Sequence, residues 1–349
     1  MHMADALISP LVGGTMWAVT AGVAAYSITK IKNDMDEKKI PLMGVMGAFI
    51  FAAQMINFAI PGTGSSGHLG GALMLAILLG PYAGFLTMAS LLTIQALFFA
   101  DGGLLALGSN VFNMGFFSCF IVYPLVYKRI MRNGYTQSRI FGASVLSAII
   151  GLQLGAFSVV LETLFSGKTE LPFSTFVLLM QPIHMAIGIV EGLVTAAIIS
   201  FVWKSRPEII EKAAIGEALG SISVKKVLAG LAVFAVLTGG VLSWFASANP
   251  DGLEWSMFKT SGQEQRTAPK GIHRTFSNIQ SKTAFLPKYN FAASKNEAPS
   301  STDKTAWPNV SGGTSLSGLV GGALTLALAT LTGLIISIFK RKNKRTDLA

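Results

Sequence analysis

A chain of 349 residues that is 51% hydrophobic and 13% charged, with a mean hydropathy of +0.56, needs apolar segments of membrane length and excludes an ordinary soluble domain. The net charge of +10 does not point to nucleic acid, because Lys and Arg gather at the ends of apolar runs, where anionic headgroups are the counter-charge. The single cysteine, Cys119, falls inside an apolar run, which excludes an intrachain disulfide and a thiolate metal cluster.

The first apolar run, Leu7 to Thr29, has no Lys or Arg before it and outlasts a signal peptide, so it is read as a retained helix. Lys30, Lys32, Lys38 and Lys39 mark the loop after it as cytoplasmic, which puts the N-terminus outside. Pro41 to Ile60 returns to the outer side and ends in the glycine-rich loop Pro61 to His68. Leu69 to Leu79 is a short span broken at Gly80-Pro81, followed by Tyr82 to Ala100 and Leu104 to Tyr127. Arg139 to Phe165 and Phe173 to Trp203 complete about seven spans by the ~20-residue criterion.

A polar cytoplasmic linker, 207–224, is expected to hold a short interfacial helix. Two more spans follow, Val227 to Ala246 and Leu316 to Phe339, with Lys340-Arg341-Lys342 holding the C-terminus inside. Between them the outer loop 247–315 shows no helical periodicity from Ser256 onward. The expected fold is therefore an all-α polytopic membrane protein, with a seven-helix part (1–206), the linker and a two-helix part (225–349). Absence of an internal repeat argues against an inverted-repeat carrier.

Chemistry concentrates at Met1-His2. A free amine, one backbone amide and one imidazole close fused five- and six-membered rings on a divalent ion, supplying three nitrogens, and the bulky His2 disfavours removal of Met1. A square plane is then one ligand short. His68 emerges on the same predicted side, in a loop whose glycines and serines let it fold onto the N-terminus. Four nitrogens in a plane suit Ni(II) or Cu(II), with Co(II) weaker, whereas Zn(II) prefers a tetrahedron and Mg(II) prefers oxygen. Asp5 either offsets the residual positive charge or orients an imidazole, or it simply begins a helix.

Gln54, Asn57, Gln95, Asn110, Asn113, Gln153, Glu162, His184 and Glu191 fall inside apolar runs, where polar groups face a helix interface or a site. His184 and Glu191 share a helical face; structural hydrogen bonding is preferred there to a proton relay or second metal position. His273 is read as solvated. Ala21-xxx-Ala25 and Ala48-xxx-Ala52 permit close helix packing.

Met-His-Met-Ala-Asp-Ala-Leu-Ile-Ser-Pro at 1–10, with Gly64-Ser65-Ser66-Gly67-His68-Leu69, resembles the CbiM/NikM family of substrate-capture (S) components of energy-coupling-factor transporters for cobalt and nickel. Pro250-Asp251-Gly252-Leu253-Glu254 resembles the PDGLE segment of the NikN/CbiN-type partner subunit, so the chain is similar to a fusion of the two. The resemblance implies the Met1 amine, the His2 amide and imidazole, and the His68 imidazole as ligands, with Ser65 or Ser66 holding the loop shut. It implies ATP-driven import of Ni(II), or alternatively Co(II), across a prokaryotic inner or plasma membrane, the ion site being extracytoplasmic. A transmembrane coupling (T) subunit and two ATP-binding-cassette ATPases are the implied partners, the small-residue faces being the docking surfaces of this class.

No Gly-x-x-x-x-Gly-Lys-Ser/Thr is present, so ATP hydrolysis is assigned to other chains and the chain is not itself an enzyme. A membrane metallopeptidase would need His-Glu-x-x-His, also absent, and an open metal position for water. A scaffold or regulator without transport is the remaining reading, and it makes the N-terminus dispensable.

Overall fold

The computed structural model describes residues 2–31, 38–263, 271–291 and 307–346. Met1 lies outside them. A short 3-10 turn, Asp5–Leu7, precedes α1 (Pro10–Ile31) and α2 (Lys39–Gln54). A hairpin of β1 (Phe58–Ile60) and β2 (Ser65–Gly67) leads to α3 (Ala72–Leu79) and α4 (Pro81–Phe99). Then come α5 (Leu107–Met131), α6 (Gln137–Phe165), α7 (Phe173–Ser205), α8 (Pro207–Ile215) and α9 (Lys225–Gly240). The chain ends with α10 (Gly252–Ser261), α11 (Ile272–Thr283) and α12 (Gly312–Thr346). The protein is a helical membrane protein: α1, α4, α5, α6, α7 and α12 are each long and apolar enough to cross a bilayer.

The segment Leu69 to Leu79 differs from the expected short span. Helix α3 starts only at Ala72 and has eight residues, ~12 Å of rise against a ~30 Å hydrocarbon core. All of it is buried, and its far end at Gly80 abuts the Ala213 carbonyl in α8. The chain from Ser65 to Gly71 therefore runs into the bundle interior, while the turn Pro61 to Gly64 stays at the surface. Non-helical backbone is tolerated at such depth only where protein surrounds it, and β1 and β2 pair Phe58 with Gly67 and Ile60 with Ser65.

Close helix approach relies on small residues. A Cβ on Gly192 of α7 would stand 2.4 Å from Val145 Cα of α6, and one on Gly318 of α12 would stand 2.3 Å from the Gly239 carbonyl oxygen of α9. Ala48 and Ala52 are buried, with Ala48 facing Gly322 of α12, so that small-residue face is used inside the chain. Ala21 and Ala25 are exposed on α1, of whose apolar window only 17% is buried.

The long connection is more ordered than its sequence suggested, since α10 and α11 both lie within it. The inner face of α11 is mostly polar. Its bundle-facing residues are His273, Phe276 and Gln280 on one face, while Ile272 and Ile279 point away. His273 is buried rather than solvated, and its Nε2 donates to the Ile8 carbonyl at 2.9 Å. Gln280 Nε2 donates to the carbonyls of Ala96 (2.9 Å) and Gly102 (2.7 Å). These carbonyls, at chain turns and helix ends, lack intrahelical partners, which explains why polar residues face inward.

Candidate metal site

The N-terminal segment is threaded into the bundle, with Met3, Leu7 and Ile8 fully buried or nearly so. Asn110 reads the Met3 backbone in both directions: Met3 N donates to its Oδ1 (2.8 Å) and its Nδ2 donates to Met3 O (3.1 Å). Gly103 N also donates to Met3 O at 2.8 Å. No side chain fits at Gly103, where a Cβ would stand 1.8 Å from Asp5 Oδ1. Asp5 Oδ1 accepts from Ala106 N at 3.0 Å, so this carboxylate anchors the segment to the turn before α5.

The His68 loop is pinned from two sides. Glu191 of α7 accepts from Gly70 N (2.7 Å) and Gly71 N (3.0 Å), while Gln54 of α2 donates to Gly70 O (2.8 Å). Gly71 adopts a left-handed φ of 83° with Ile50 packed where a side chain would go, so glycine is required at that turn. Before the histidine, Ser66 N donates to Pro250 O (2.8 Å), and Ser66 Oγ donates to Asn249 O (2.8 Å). Ser65 Oγ donates to the Ser66 carbonyl (3.2 Å), and Trp255 Nε1 donates to Thr63 O (2.9 Å).

Each residue of Pro-Asp-Gly-Leu-Glu has a physical part in that clamp. Asp251 caps α10, accepting from Leu253 N and Glu254 N, with Glu254 completing a capping box. Gly252 packs on α7 where a Cβ would stand 2.6 Å from Ile183, and Leu253 is buried. Pro250 presents its carbonyl to β2.

These anchors bring His2 and His68 together, ring centroids 5.0 Å apart and planes 28° from parallel. Both line a cavity of about 470 Å³ with Asp101, Asp251 and Tyr289. His2 Nε2 bonds Gln95 Oε1 at 3.0 Å, and His2 Nδ1 lies 3.5 Å from Asp101 Oδ1. His68 Nδ1 bonds Leu69 O at 3.1 Å; a carbonyl only accepts, so Nδ1 carries the hydrogen and Nε2 keeps its lone pair. Burial lowers the pKa of both rings, that of His68 to about 3, so both are neutral at pH 7. Asp251 is held below the usual carboxylate range: burial opposes its charge, and the positive charge of the chain's amino group, together with the backbone N–H at Glu254, outweighs burial. Among the described residues, no three His, Cys, Asp or Glu side chains stand close enough together to hold an ion by themselves.

Residues 2–209 match the family described as the cobalt uptake substrate-specific transmembrane region, CbiM. The chain belongs to the CbiM family. Residues 225–338 match the PDGLE domain. A putative fused nickel transport protein NikMN of Archaeoglobus fulgidus is 37% identical over 67% of this chain and 75% of its own length. The fused nickel transport protein NikMN of Rhodobacter capsulatus is 31% identical over 60% of this chain and 64% of its own. A crystal structure of a truncated transition metal transporter superposes with a TM-score of 0.52 at 28% identity, covering 59% of this chain and 99% of that one.

This CbiM-family chain is thus a membrane component of nickel or cobalt transport. Its His2 and His68 share one cavity, whereas His184 and Glu191 serve as hydrogen-bonding groups. His184 Nδ1 donates to Met180 O at 2.8 Å within α7, and Glu191 holds the loop. Sequence reasoning passed over Asp101 and Tyr289. The Tyr289 hydroxyl donates to Asp101 Oδ2, bringing the long connection into the site. Gln54, Gln95 and Asn110 carried a signal, as polar residues inside apolar runs.

Proposed function

We propose that the chain captures Ni(II) as transported substrate in a square plane of four nitrogens: the Met1 amine, the His2 amide, His2 Nδ1 and His68 Nε2. The observation that carries this reading is the pairing of two neutral imidazoles on the threaded N-terminus and the pinned loop, each with one ring nitrogen already engaged elsewhere. Only Nδ1 of a second-residue histidine closes a six-membered ring with its own amide, and that is the nitrogen Gln95 does not engage. Asp101 and Asp251 supply negative charge that offsets the ion's. Binding expels protons from the amine and amide, so affinity falls at low pH.

The T subunit and two ATP-binding-cassette ATPases of an energy-coupling-factor complex are the proposed partners, with the exposed Ala21 and Ala25 face of α1 as the T-subunit surface. The site opens outside a prokaryotic plasma membrane, and reorientation releases the ion inward. The two-part division, 1–206 and 225–349 around a linker, assigns capture to the first part and loop clamping to the second. Nickel is favoured over cobalt by the planar nitrogen set and by the fused nickel transport proteins among the relatives. The same machine selective for Co(II) is the alternative.

Ni(II), Co(II) and Cu(II) binding to the full chain with a native N-terminus tests the reading, alongside His2→Ala, His68→Ala and one residue added before Met1. Each change is expected to abolish the planar-nickel absorption band. Equal nickel affinity in the extended chain would refute the chelate. Cellular uptake that persists without the ATPases would refute the transporter class.

A further inference from the structure

Two buried glutamines connect the His68 loop to His2, and their direction is forced. Gly70 O can only accept, so Gln54 turns its amide nitrogen toward it (2.8 Å) and its Oε1 the other way. Gln54 Oε1 accepts from Gln95 Nε2 (2.8 Å), which leaves Gln95 Oε1 facing His2 Nε2 (3.0 Å). An acceptor at that point requires hydrogen on Nε2. The Nδ1 lone pair is thereby released for a cation. Gln54 and Gln95 are 6% and 0% exposed, so the two amides find their partners chiefly in Gly70, in each other and in His2.

The relay works against an opposing pull. Asp101 Oδ1 stands 3.5 Å from His2 Nδ1, and a carboxylate there draws the ring hydrogen onto Nδ1, the chelating position. Asp101 is itself held by the Tyr289 hydroxyl. Freed of Gly70, Gln54 can turn over, Gln95 can follow, and an amide NH₂ facing Nε2 would join Asp101 in favouring the wrong tautomer.

We infer that Gln54 and Gln95 are positioning residues that set the His2 tautomer according to whether the Gly70 turn is seated, so that placing one ligand loop readies the other ligand. The inference rests on the reading of His2 and His68 as ion ligands. It gives the two glutamines a role in specificity: an ion is chelated only when the loop bearing His68 is in place.

The test reads ¹⁵N shifts of histidine-labelled, metal-free full chain at neutral pH. Wild type is expected to show hydrogen on Nε2 at His2 and His273, and on Nδ1 at His68 and His184. Gln54→Met, close to Gln in length and with only a weak thioether acceptor, is expected to move His2 toward the Nδ1–H form and to weaken Ni(II) binding about 10- to 100-fold. Gln54→Glu still accepts from Gln95 and is expected to keep the wild-type His2 signal despite losing its bond to Gly70. Unchanged His184 and His273 signals certify the fold in each variant. The inference is overturned if Gln54→Met leaves the His2 signal unchanged, whatever its affinity, or if Gln54→Glu loses the signal; the second arm decides alone if Gln54→Met does not fold. A wild-type chain that binds no Ni(II) while Gln54→Met still moves the His2 signal would refute the ligand reading and leave the relay standing.

Discussion

Glu191→Gln isolates the seating of the His68 loop from the ion ligands themselves. The carboxylate accepts two buried backbone N–H groups, Gly70 at 2.7 Å and Gly71 at 3.0 Å. A carboxamide keeps one acceptor and turns an NH₂ toward the other N–H, so one charge-assisted bond is lost and one buried donor is unpaired. Hydrogen bonds to charged groups contribute ~1.5–3 kcal/mol, which puts the penalty on the seated loop at ~2–3 kcal/mol. If binding requires the seated loop, apparent affinity falls with the fraction seated, to a limit of roughly 30- to 150-fold at ~1.4 kcal/mol per tenfold. A nickel titration followed by absorbance, with the thermal midpoint as a fold control, should show at least a tenfold loss. Binding within about threefold of wild type would refute the claim that Glu191 seats the loop.

Gly103→Ala drives a methyl into Asp5 at the point where the N-terminus threads the bundle, so it should destabilise by ~1–3 kcal/mol in thermal unfolding and weaken nickel binding as well. Trp255→Phe removes the bond to Thr63 O and should cost ~1 kcal/mol of loop clamping, seen as nickel dissociation about fivefold faster in stopped flow. For the metal-free chain, burial holds His68 at about 3 against ~6.5 unfolded, so the unfolded state binds more protons between those values. Stability is then complete above ~6.5 and falls by up to ~1.4 kcal/mol per unit as pH drops toward 3, a loss that His68→Gln should reduce in melts at pH 7.5 and 5.

The six span-length helices were legible because such an apolar run has few alternatives, and the approach of His68 to His2 was legible because a glycine-rich loop emerges on the side of the N-terminus. The start of α3 was hidden, because it is set by Glu191, more than a hundred residues away, binding the amides of Gly70 and Gly71. Helix α11 was hidden for the opposite reason to the spans: two of the three residues on its inner face, His273 and Gln280 beside Phe276, are ones that hydropathy counts as solvent-facing. Asp101 looked like a loop residue beside two glycines, and Tyr289 like part of a polar tract. Neither has any local signal for the bond between them.

The dependence of the site on the C-terminal part follows from the edge of β2. One side of that strand pairs with β1, and the other meets the chain at Pro250 and Asp251 through the Ser66 amide and a parallel bridge. His68 lies two residues beyond Ser66. Without the PDGLE segment, the Ser66 N–H and hydroxyl lose their partners in the bundle interior, where an unpaired polar group costs several kcal/mol unless water enters or the hairpin rearranges. Either response moves the backbone that carries His68 and loosens Gly70, the pinned end of the glutamine relay. The fused segment is therefore part of the site's geometry: the clamp acts on His68 through two residues of β2 and on His2 through Gly70, Gln54 and Gln95, without contributing a ligand.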